Sequence, residues 1–196
     1  MSKVVASITT SVDGYYAGPE DGPGQGLGVD GERLHYWVFG GPWSYDREPT
    51  GLDSDDGGWL HEAMERIGAV VCGRWTYEAA DRWGDTNPWE LPFFIVTHHA
   101  DRDLPDGMEF VGGLEEAIER AKTAANGKDV NLMGGGDVIR QALAARLVDG
   151  LTIIIAPVTL GAGKRLFEGF DRSLELDHLG VRQTPLATFV DYQVVK

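Results

Sequence analysis

The chain has 196 residues and carries 17 Lys and Arg against 31 Asp and Glu, a formal net charge of −14. We predict one domain over residues 1–196, because this length suits a single α/β domain with a core and a ligand cleft. The acidic surface would repel phosphates, which argues against nucleic-acid and anionic-membrane partners. One cysteine cannot form an intramolecular disulfide, and no apolar run approaches the ~18–20 residues of a membrane span. We therefore expect a cytoplasmic protein.

Short β-rich runs alternate with helical patterns along most of the chain. The strand-like runs lie at residues 4–10, 69–72, 93–96, 130–133 and 151–156. Apolar residues recur three and four positions apart, the spacing of an amphipathic helix, around residues 60–67, 114–121 and 139–147. Strands that are apolar on both faces indicate a parallel or mixed sheet covered by helices. The last two runs, residues 174–181 and 187–195, contain interspersed polar residues and predict an antiparallel hairpin near a sheet edge.

Residues 18–58 do not follow this alternation. Glycines and prolines recur through the segment, and five aromatic residues are interspersed among them: Tyr36, Trp37, Phe39, Trp43 and Tyr45. A flexible linker would lack such aromatics, so we expect an ordered insertion whose rings cover something. A lid over a ligand and a local mini-core under a long loop both fit this pattern.

Two predicted strands end in glycine corners that precede a helix. The first runs into Gly73 and Arg74, where free backbone amides suit an anion and the planar guanidinium suits a phosphate monoester. The second ends in Gly134, Gly135 and Gly136, which would let a pyrophosphate approach the backbone and the helix N-terminus. An ordinary surface arginine and a plain tight turn are the alternatives. The glycine spacing differs from the Rossmann fingerprint.

Two further strand ends carry polar or basic residues. Lys164 and Arg165 follow a glycine loop and are candidates for contact with an anionic substrate. Thr97 and His98 end another strand; because neighbouring side chains on a strand point to opposite faces, His98 and His99 do not form a chelating pair. The five histidines show no ligand spacing, and we predict no metal site.

Taken in order, the motifs resemble the dihydrofolate-reductase-like superfamily, and within it the branch with the reductase domain of bacterial riboflavin biosynthesis (the RibD C-terminal domain). The matching motifs are residues 11–17 (SVDGYYA), 72–78 (CGRWTYE), 94–97 (FIVT), 133–136 (MGGG), 147–151 (LVDGL) and 156–163 (APVTLGAG). The resemblance implies an α/β fold with a central eight-stranded, mostly parallel sheet, an antiparallel C-terminal strand and flanking helices. It also implies NADPH bound across the strand ends, and a homodimer formed through the late strands.

The resemblance further implies the role of each residue near the cofactor. Arg74 would meet the 2′-phosphate of NADPH, and residues 13–15 would form a flap over the nicotinamide. The full predicted cofactor set is Ile8, Thr9, Asp13, Gly14, Tyr15, Gly73, Arg74, Trp75, Thr76, Thr97, His98, Met133, Gly134, Gly135, Gly136, Asp137, Val138 and Ile139.

From this resemblance we expect an NADPH-dependent reductase that acts on a small heterocyclic substrate of the 5-amino-6-(5-phosphoribosylamino)uracil type. Lys164 and Arg165 would then hold the substrate phosphate. A pterin or dihydrofolate reductase, with Asp56 as its catalytic carboxylate, is the alternative within the same class. A non-catalytic NADP(H)-binding domain is the alternative from another class.

Overall fold

Ten strands and five α-helices form in residues 2–46 and 55–196, the part of the chain that this computed structural model describes; at residues 55–60 the description covers the backbone alone. The strands are β1 (Val4–Ser11), β2 (Tyr15–Ala17), β3 (Ile67–Gly73), β4 (Phe93–Val96), β5 (Met108–Val111), β6 (Asp129–Leu132), β7 (Gly150–Ala156), β8 (Lys164–Arg165), β9 (Leu176–Gln183) and β10 (Thr188–Val194). The helices are α1 (Tyr36–Phe39), α2 (Asp55–Arg66), α3 (Arg74–Ala79), α4 (Leu114–Ala124) and α5 (Gly136–Ala144).

Eight of these strands form one sheet in the order β5-β4-β3-β6-β1-β7-β10-β9. The pairs from β5 to β7 are all parallel. Strand β10 pairs antiparallel with both β7 and β9, so within the described residues it alone runs against the other seven. The predicted eight-stranded, mostly parallel sheet with an antiparallel C-terminal strand is confirmed.

Both faces of the central strands are covered. All seven residues of β3 are buried, as its continuous apolar sequence predicts. On one face, Ile118 of α4 and Leu143 of α5 belong to the largest cluster of buried apolar residues. On the other face, Tyr77 of α3 packs with Phe93 and Ile95 of β4. No helix in this described part has the length and apolar character that a membrane span requires.

The described part of the insertion is ordered and rests on the sheet. Trp37 donates a hydrogen bond from Nε1 to Thr9 Oγ1 at 3.1 Å and packs edge-on against Phe189, with ring centroids 5.2 Å apart. Trp43 lies between two other rings, 4.9 Å from Phe39 and 5.3 Å from Tyr45. The insertion thus has a small aromatic cluster of its own, and Trp37 covers the sheet beside β1. Residues 47–54 lie outside the described part.

The carboxyl ends of the parallel strands meet at one edge of the sheet. Helix α5 connects β6 to β7, and these two strands lie on opposite sides of β1 in the sheet. In open α/β sheets, ligands bind outside the carboxyl ends of the strands where the chain changes direction in this way. This edge holds the ends of β1, β3, β4, β6 and β7, and therefore the motifs singled out above.

Candidate cofactor site

The two glycine corners lie in direct contact. The Gly73 amide donates a hydrogen bond to the Gly134 carbonyl at 3.2 Å, which joins the end of β3 to the turn after β6. A Cβ added to Gly73 would lie 2.6 Å from a methyl group of Val138, closer than real Cβ atoms approach. A Cβ added to Gly135 would lie 3.1 Å from Thr76 Oγ1. The close approach of the corners therefore depends on glycine.

Helix α5 begins where the two glycine corners meet, so its N-terminus lies beside their contact. Gly135 is the N-cap residue with extended backbone, and no side chain among the described contacts caps the helix. The first amides of a helix have no intrahelical acceptor, so they are free to bind an anion. The Asp137 carboxylate pairs with Arg140. Tyr16, which the sequence analysis did not assign, packs its ring against Gly136, and burial raises the pKa of its hydroxyl.

Arg74 stands at the start of α3 and is held by three acceptors. Its Nη2 donates to Asp101 Oδ2 at 2.8 Å and to Glu78 Oε1 at 3.0 Å, and its Nη1 donates to the His99 carbonyl at 2.5 Å. The guanidinium also lies 5.4 Å from the centre of the Phe110 ring. The hydrogen bond from Arg74 lowers the pKa of Asp101 to about 2, so this carboxylate is ionised at neutral pH.

The loop after β4 supports Arg74. Thr97 Oγ1 accepts a hydrogen bond from the His99 amide at 3.1 Å, which fixes the turn that presents the His99 carbonyl to Arg74. His98 lies between Thr97 and His99 in the sequence, and its side chain is exposed. The predicted neighbours Thr97 and His98 therefore lie beside Arg74, although 23 positions separate Thr97 from Arg74 in the sequence (97 − 74).

Asp13 joins the turn after β1 to the loop after β7. Its Oδ1 accepts hydrogen bonds from Ser11 Oγ at 2.5 Å and from the Leu160 amide at 3.1 Å, and its Oδ2 accepts one from the Gly161 amide at 2.8 Å. The bond from Ser11, together with those from the two amides, lowers the pKa of Asp13 to about 2. The Asp13 side chain therefore shapes the predicted flap through contacts within the chain.

Asp13→Asn is expected to lower the melting temperature by a few degrees at neutral pH, and by progressively less as the pH falls from about 4 towards 2. The pKa of Asp13 is about 2 in the folded protein against an ordinary value of 3.8. The ionised carboxylate thus stabilises the fold above about pH 4, and this contribution is lost as the pH falls through 2. Thermal unfolding by circular dichroism between pH 2 and 7 measures it. Equal melting temperatures of variant and wild type at pH 7 would contradict the role of Asp13.

Both cations predicted to contact substrate have partners within the chain. Lys164 Nζ pairs with Asp21 Oδ2 at 2.7 Å, and Trp75 Nε1 donates to the same oxygen at 3.0 Å. Arg165 Nη2 donates to the Tyr15 hydroxyl at 3.0 Å. These contacts place Lys164 beside Trp75, a member of the predicted cofactor set; the assignment of both cations to the substrate stays a prediction.

Four other residues have distinct positions. Ile8 and Thr9 lie in β1 between β6 and β7, with their backbone near the carboxyl edge of the sheet. Asp56 lies in α2, and its side chain is outside the described residues. Cys72 is fully buried in β3, and burial raises the pKa of its thiol, so it has a packing role. Among the described residues, no three His, Cys, Asp or Glu side chains come together as a metal site.

Comparison with known proteins assigns the chain to a family. The family model of the RibD C-terminal domain matches residues 2–188, nearly the whole chain. The chain belongs to this family. The motifs quoted from the sequence thus identified the correct branch. No curated protein matches the sequence.

Solved structures related to this RibD C-terminal domain share its fold. A protein assigned to riboflavin biosynthesis from Shewanella sp. PV-4 is 24% identical, with 99% of each chain covered and a TM-score of 0.71. Dihydrofolate reductase from Enterococcus faecalis, complexed with NADP(H), is 15% identical over 99% of this chain and 97% of its own, with a TM-score of 0.62. The fold is therefore dihydrofolate-reductase-like, as predicted.

A two-function enzyme gives a third comparison. It is the diaminohydroxyphosphoribosylaminopyrimidine deaminase/5-amino-6-(5-phosphoribosylamino)uracil reductase from Thermotoga maritima, 12% identical with a TM-score of 0.62. The match covers 99% of this chain but 57% of that enzyme. This RibD C-terminal domain thus spans little more than half the length of the two-function enzyme.

Sequence reasoning missed Asp101, Arg102, Asp21 and Tyr16; Arg102 lies 3.6 Å from carboxylate oxygens of both Glu78 and Asp101. The first two follow the histidine pair in an exposed loop, where a charged residue is usually solvated. Asp21 lies among the glycines of the insertion, 54 positions from Trp75. Tyr16 belongs to one of the motifs quoted from the sequence, but the sequence around it does not indicate that its side chain, rather than that of Tyr15, faces α5. No local spacing marks any of these contacts.

Proposed function

We propose that this chain is an NADPH-dependent reductase of the riboflavin-biosynthesis type, whose substrate is a 5-amino-6-(5-phosphoribosylamino)uracil. The observation that carries the proposal is the contact between the two glycine corners, with the Gly73 amide 3.2 Å from the Gly134 carbonyl. It brings a helix N-terminus and the Arg74 guanidinium to one edge of the sheet. Membership of the RibD C-terminal domain family supports the same reaction class.

The residues at this edge fit a phosphorylated dinucleotide. The amides at Gly135 and Gly136 would hold the pyrophosphate, since a Cβ at Gly135 would fill the space between the corners. Arg74 would hold the 2′-phosphate, with Thr97 and His98 beside it. Backbone groups of Ile8 and Thr9 would contact the carboxamide, and the remaining predicted residues line the path between these points.

NADPH bound here supplies the hydride, and the chain supplies position and exclusion of water. The turn that Asp13 fixes would cover the nicotinamide end, as predicted from the resemblance. Hydride addition at C1′ of the ribosylamino group would break the C1′–O4′ bond, and a proton from water would reach O4′, so that the ribose opens to a ribityl chain. Lys164 and Arg165 would bind the substrate phosphate once their contacts with Asp21 and Tyr15 open.

The net charge of −14 is compatible with a polyanionic cofactor. The Arg74 guanidinium and the oriented backbone amides act on the cofactor at hydrogen-bonding distance, whereas charges farther away on the surface are largely screened by salt. Local positive groups therefore decide binding at this edge, and the acidic remainder of the surface affects the association rate more than the affinity.

We also propose that the protein is a cytoplasmic homodimer formed through the late strands. Strand β9 is the last strand of the sheet, and two of its apolar side chains face solvent in the single chain: Leu179 is 64% exposed and Val181 is 59% exposed. An unpaired apolar edge of this kind favours association. Sedimentation of the purified protein measures the state.

The proposed reaction is tested by the decrease of NADPH absorbance when 5-amino-6-(5-phosphoribosylamino)uracil is added to the purified protein. Parallel reactions contain its dephosphorylated form or dihydrofolate. We expect oxidation with the phosphorylated uracil and a higher KM without the phosphate. Oxidation with dihydrofolate alone would support the folate class. NADPH binding without oxidation by any of the three would support a binding domain instead.

A further inference from the structure

The Arg74 guanidinium, which is proposed to bind the 2′-phosphate, already binds two carboxylates within the chain. Both bind the same nitrogen: Nη2 lies 2.8 Å from Asp101 Oδ2 and 3.0 Å from Glu78 Oε1. With the His99 carbonyl on Nη1, three of the five N–H groups of the guanidinium are used. A phosphate therefore has to take the place of an existing partner before it can bind both ends of the fork.

The two carboxylates differ in how they are held. Glu78 lies four residues after Arg74 in the same helix, is 25% exposed, and also faces Arg82 at 3.9 Å. Asp101 comes from the loop after β4 and is 50% exposed. Of the two, Asp101 is less enclosed and belongs to no helix or strand, so it is the partner that an incoming anion displaces at lower cost.

Arg102 is a second cation near the same two carboxylates. Arg102 Nη2 lies 3.6 Å from Glu78 Oε1, and Arg102 Nε lies 3.6 Å from Asp101 Oδ1. If Asp101 leaves Arg74, Arg102 remains within the group and keeps the positive charge needed to neutralise a dianionic phosphate.

We propose that Asp101 is an internal competitor for the 2′-phosphate of NADPH. Its carboxylate occupies the Arg74 fork in the free protein, and exchange of carboxylate for phosphate sets how strongly the chain prefers NADPH to NADH. The inference rests on the proposed function. It makes Asp101 a specificity-determining residue that lowers the affinity for NADPH, whereas Arg74 raises it.

The sign of the effect follows from charge. A 2′-phosphate carries about −1.5 to −2 charges near neutral pH, like other phosphate monoesters. Because Arg74 keeps the pKa of Asp101 at about 2, the carboxylate is negative whenever the cofactor binds and repels that phosphate. NADH has a hydroxyl at this position and leaves the Arg74–Asp101 pair in place.

Isothermal titration of NADPH, NADH and 2′-AMP into wild type and Asp101→Asn tests the proposal. Asparagine keeps the size of the side chain and one oxygen acceptor, and removes the charge. We expect NADPH and 2′-AMP to bind about fivefold more tightly to the variant, with NADH changed by less than about twofold. Binding of 2′-AMP needs no turnover and reports on the phosphate alone.

Two comparisons separate the contact from general electrostatics. Asp103→Asn removes the same charge two positions along the exposed loop, and none of the described contacts joins Asp103 to Arg74; we expect less than a twofold change. In an Arg74→Ala background, Asp101→Asn should lose its selective effect on NADPH. An equal gain from Asp103→Asn would overturn the proposal.

Weaker NADPH binding by Asp101→Asn, with NADH unchanged, would also overturn it, because Asp101 would then hold Arg74 in position for the phosphate. Failure of the proposed cofactor site has a different signature: the wild-type protein would bind neither dinucleotide. The wild-type titration therefore distinguishes the two failures, and circular dichroism checks that each variant is folded.

Discussion

Arg74→Ala is expected to weaken NADPH binding about a hundredfold and to change NADH binding by no more than about threefold. The substitution removes the permanent cation proposed for the 2′-phosphate. This loss affects NADPH alone, because NADH lacks the 2′-phosphate. Isothermal titration with both dinucleotides measures the ratio.

Arg66→Ala is the matched control for this experiment. Arg66 ends α2, pairs with Asp129 at the start of β6, and so lies at the opposite end of the sheet from Arg74. The control removes the same charge from the protein and should leave both affinities within about twofold. If Arg74→Ala weakened both dinucleotides equally, the role of Arg74 in recognising the phosphate would be wrong.

Gly135→Ala is expected to weaken NADPH and NADH alike, by at least about tenfold. The added Cβ would lie 3.1 Å from Thr76 Oγ1, in the space between the corners where the pyrophosphate is proposed to bind. The backbone at Gly135 has a φ of −71° and a ψ of 178°, which alanine also adopts, so the substitution adds no backbone strain, and circular dichroism checks that the variant is folded. Both dinucleotides contain the pyrophosphate, and both therefore lose the same contact.

Gly113→Ala provides the control. Gly113 is the N-cap residue of α4, also with extended backbone, and a Cβ there meets nothing within 4 Å. This variant should bind both dinucleotides like the wild type and melt at a similar temperature. Gly135→Ala protein that binds both with unchanged affinity would place the pyrophosphate elsewhere.

Much of the sheet is predictable because its signal is local. Strands β3 and β4 are short apolar runs, and their burial on both faces follows directly from that pattern. Strand β5 was not predicted. It has four residues, includes Glu109, and forms a strand through its parallel pairing with β4, which no local pattern encodes. The short ribbon of β2 and β8 likewise joins segments about 150 residues apart.

The candidate site likewise has one part that the sequence predicts and another that it does not. The glycine corners could be predicted because a strand, a glycine and a helix follow one another in the sequence, and that order fixes where free amides lie. The partners of Arg74 could not, since Asp101 is 27 positions away and its loop has no repeating pattern. The contact of Lys164 with Asp21 spans 143 positions. Only the folded chain shows that these charges are paired.

The contacts of Asp13 constrain how this protein can vary. The turn after β1 and the loop after β7 come from neighbouring strands, and one carboxylate accepts amides from both Leu160 and Gly161. An insertion in that loop would withdraw the amides and shift the turn, even though the two segments are 147 positions apart. The lengths of the two segments are therefore coupled, and a chain assembled from two homologues should keep both from the same parent.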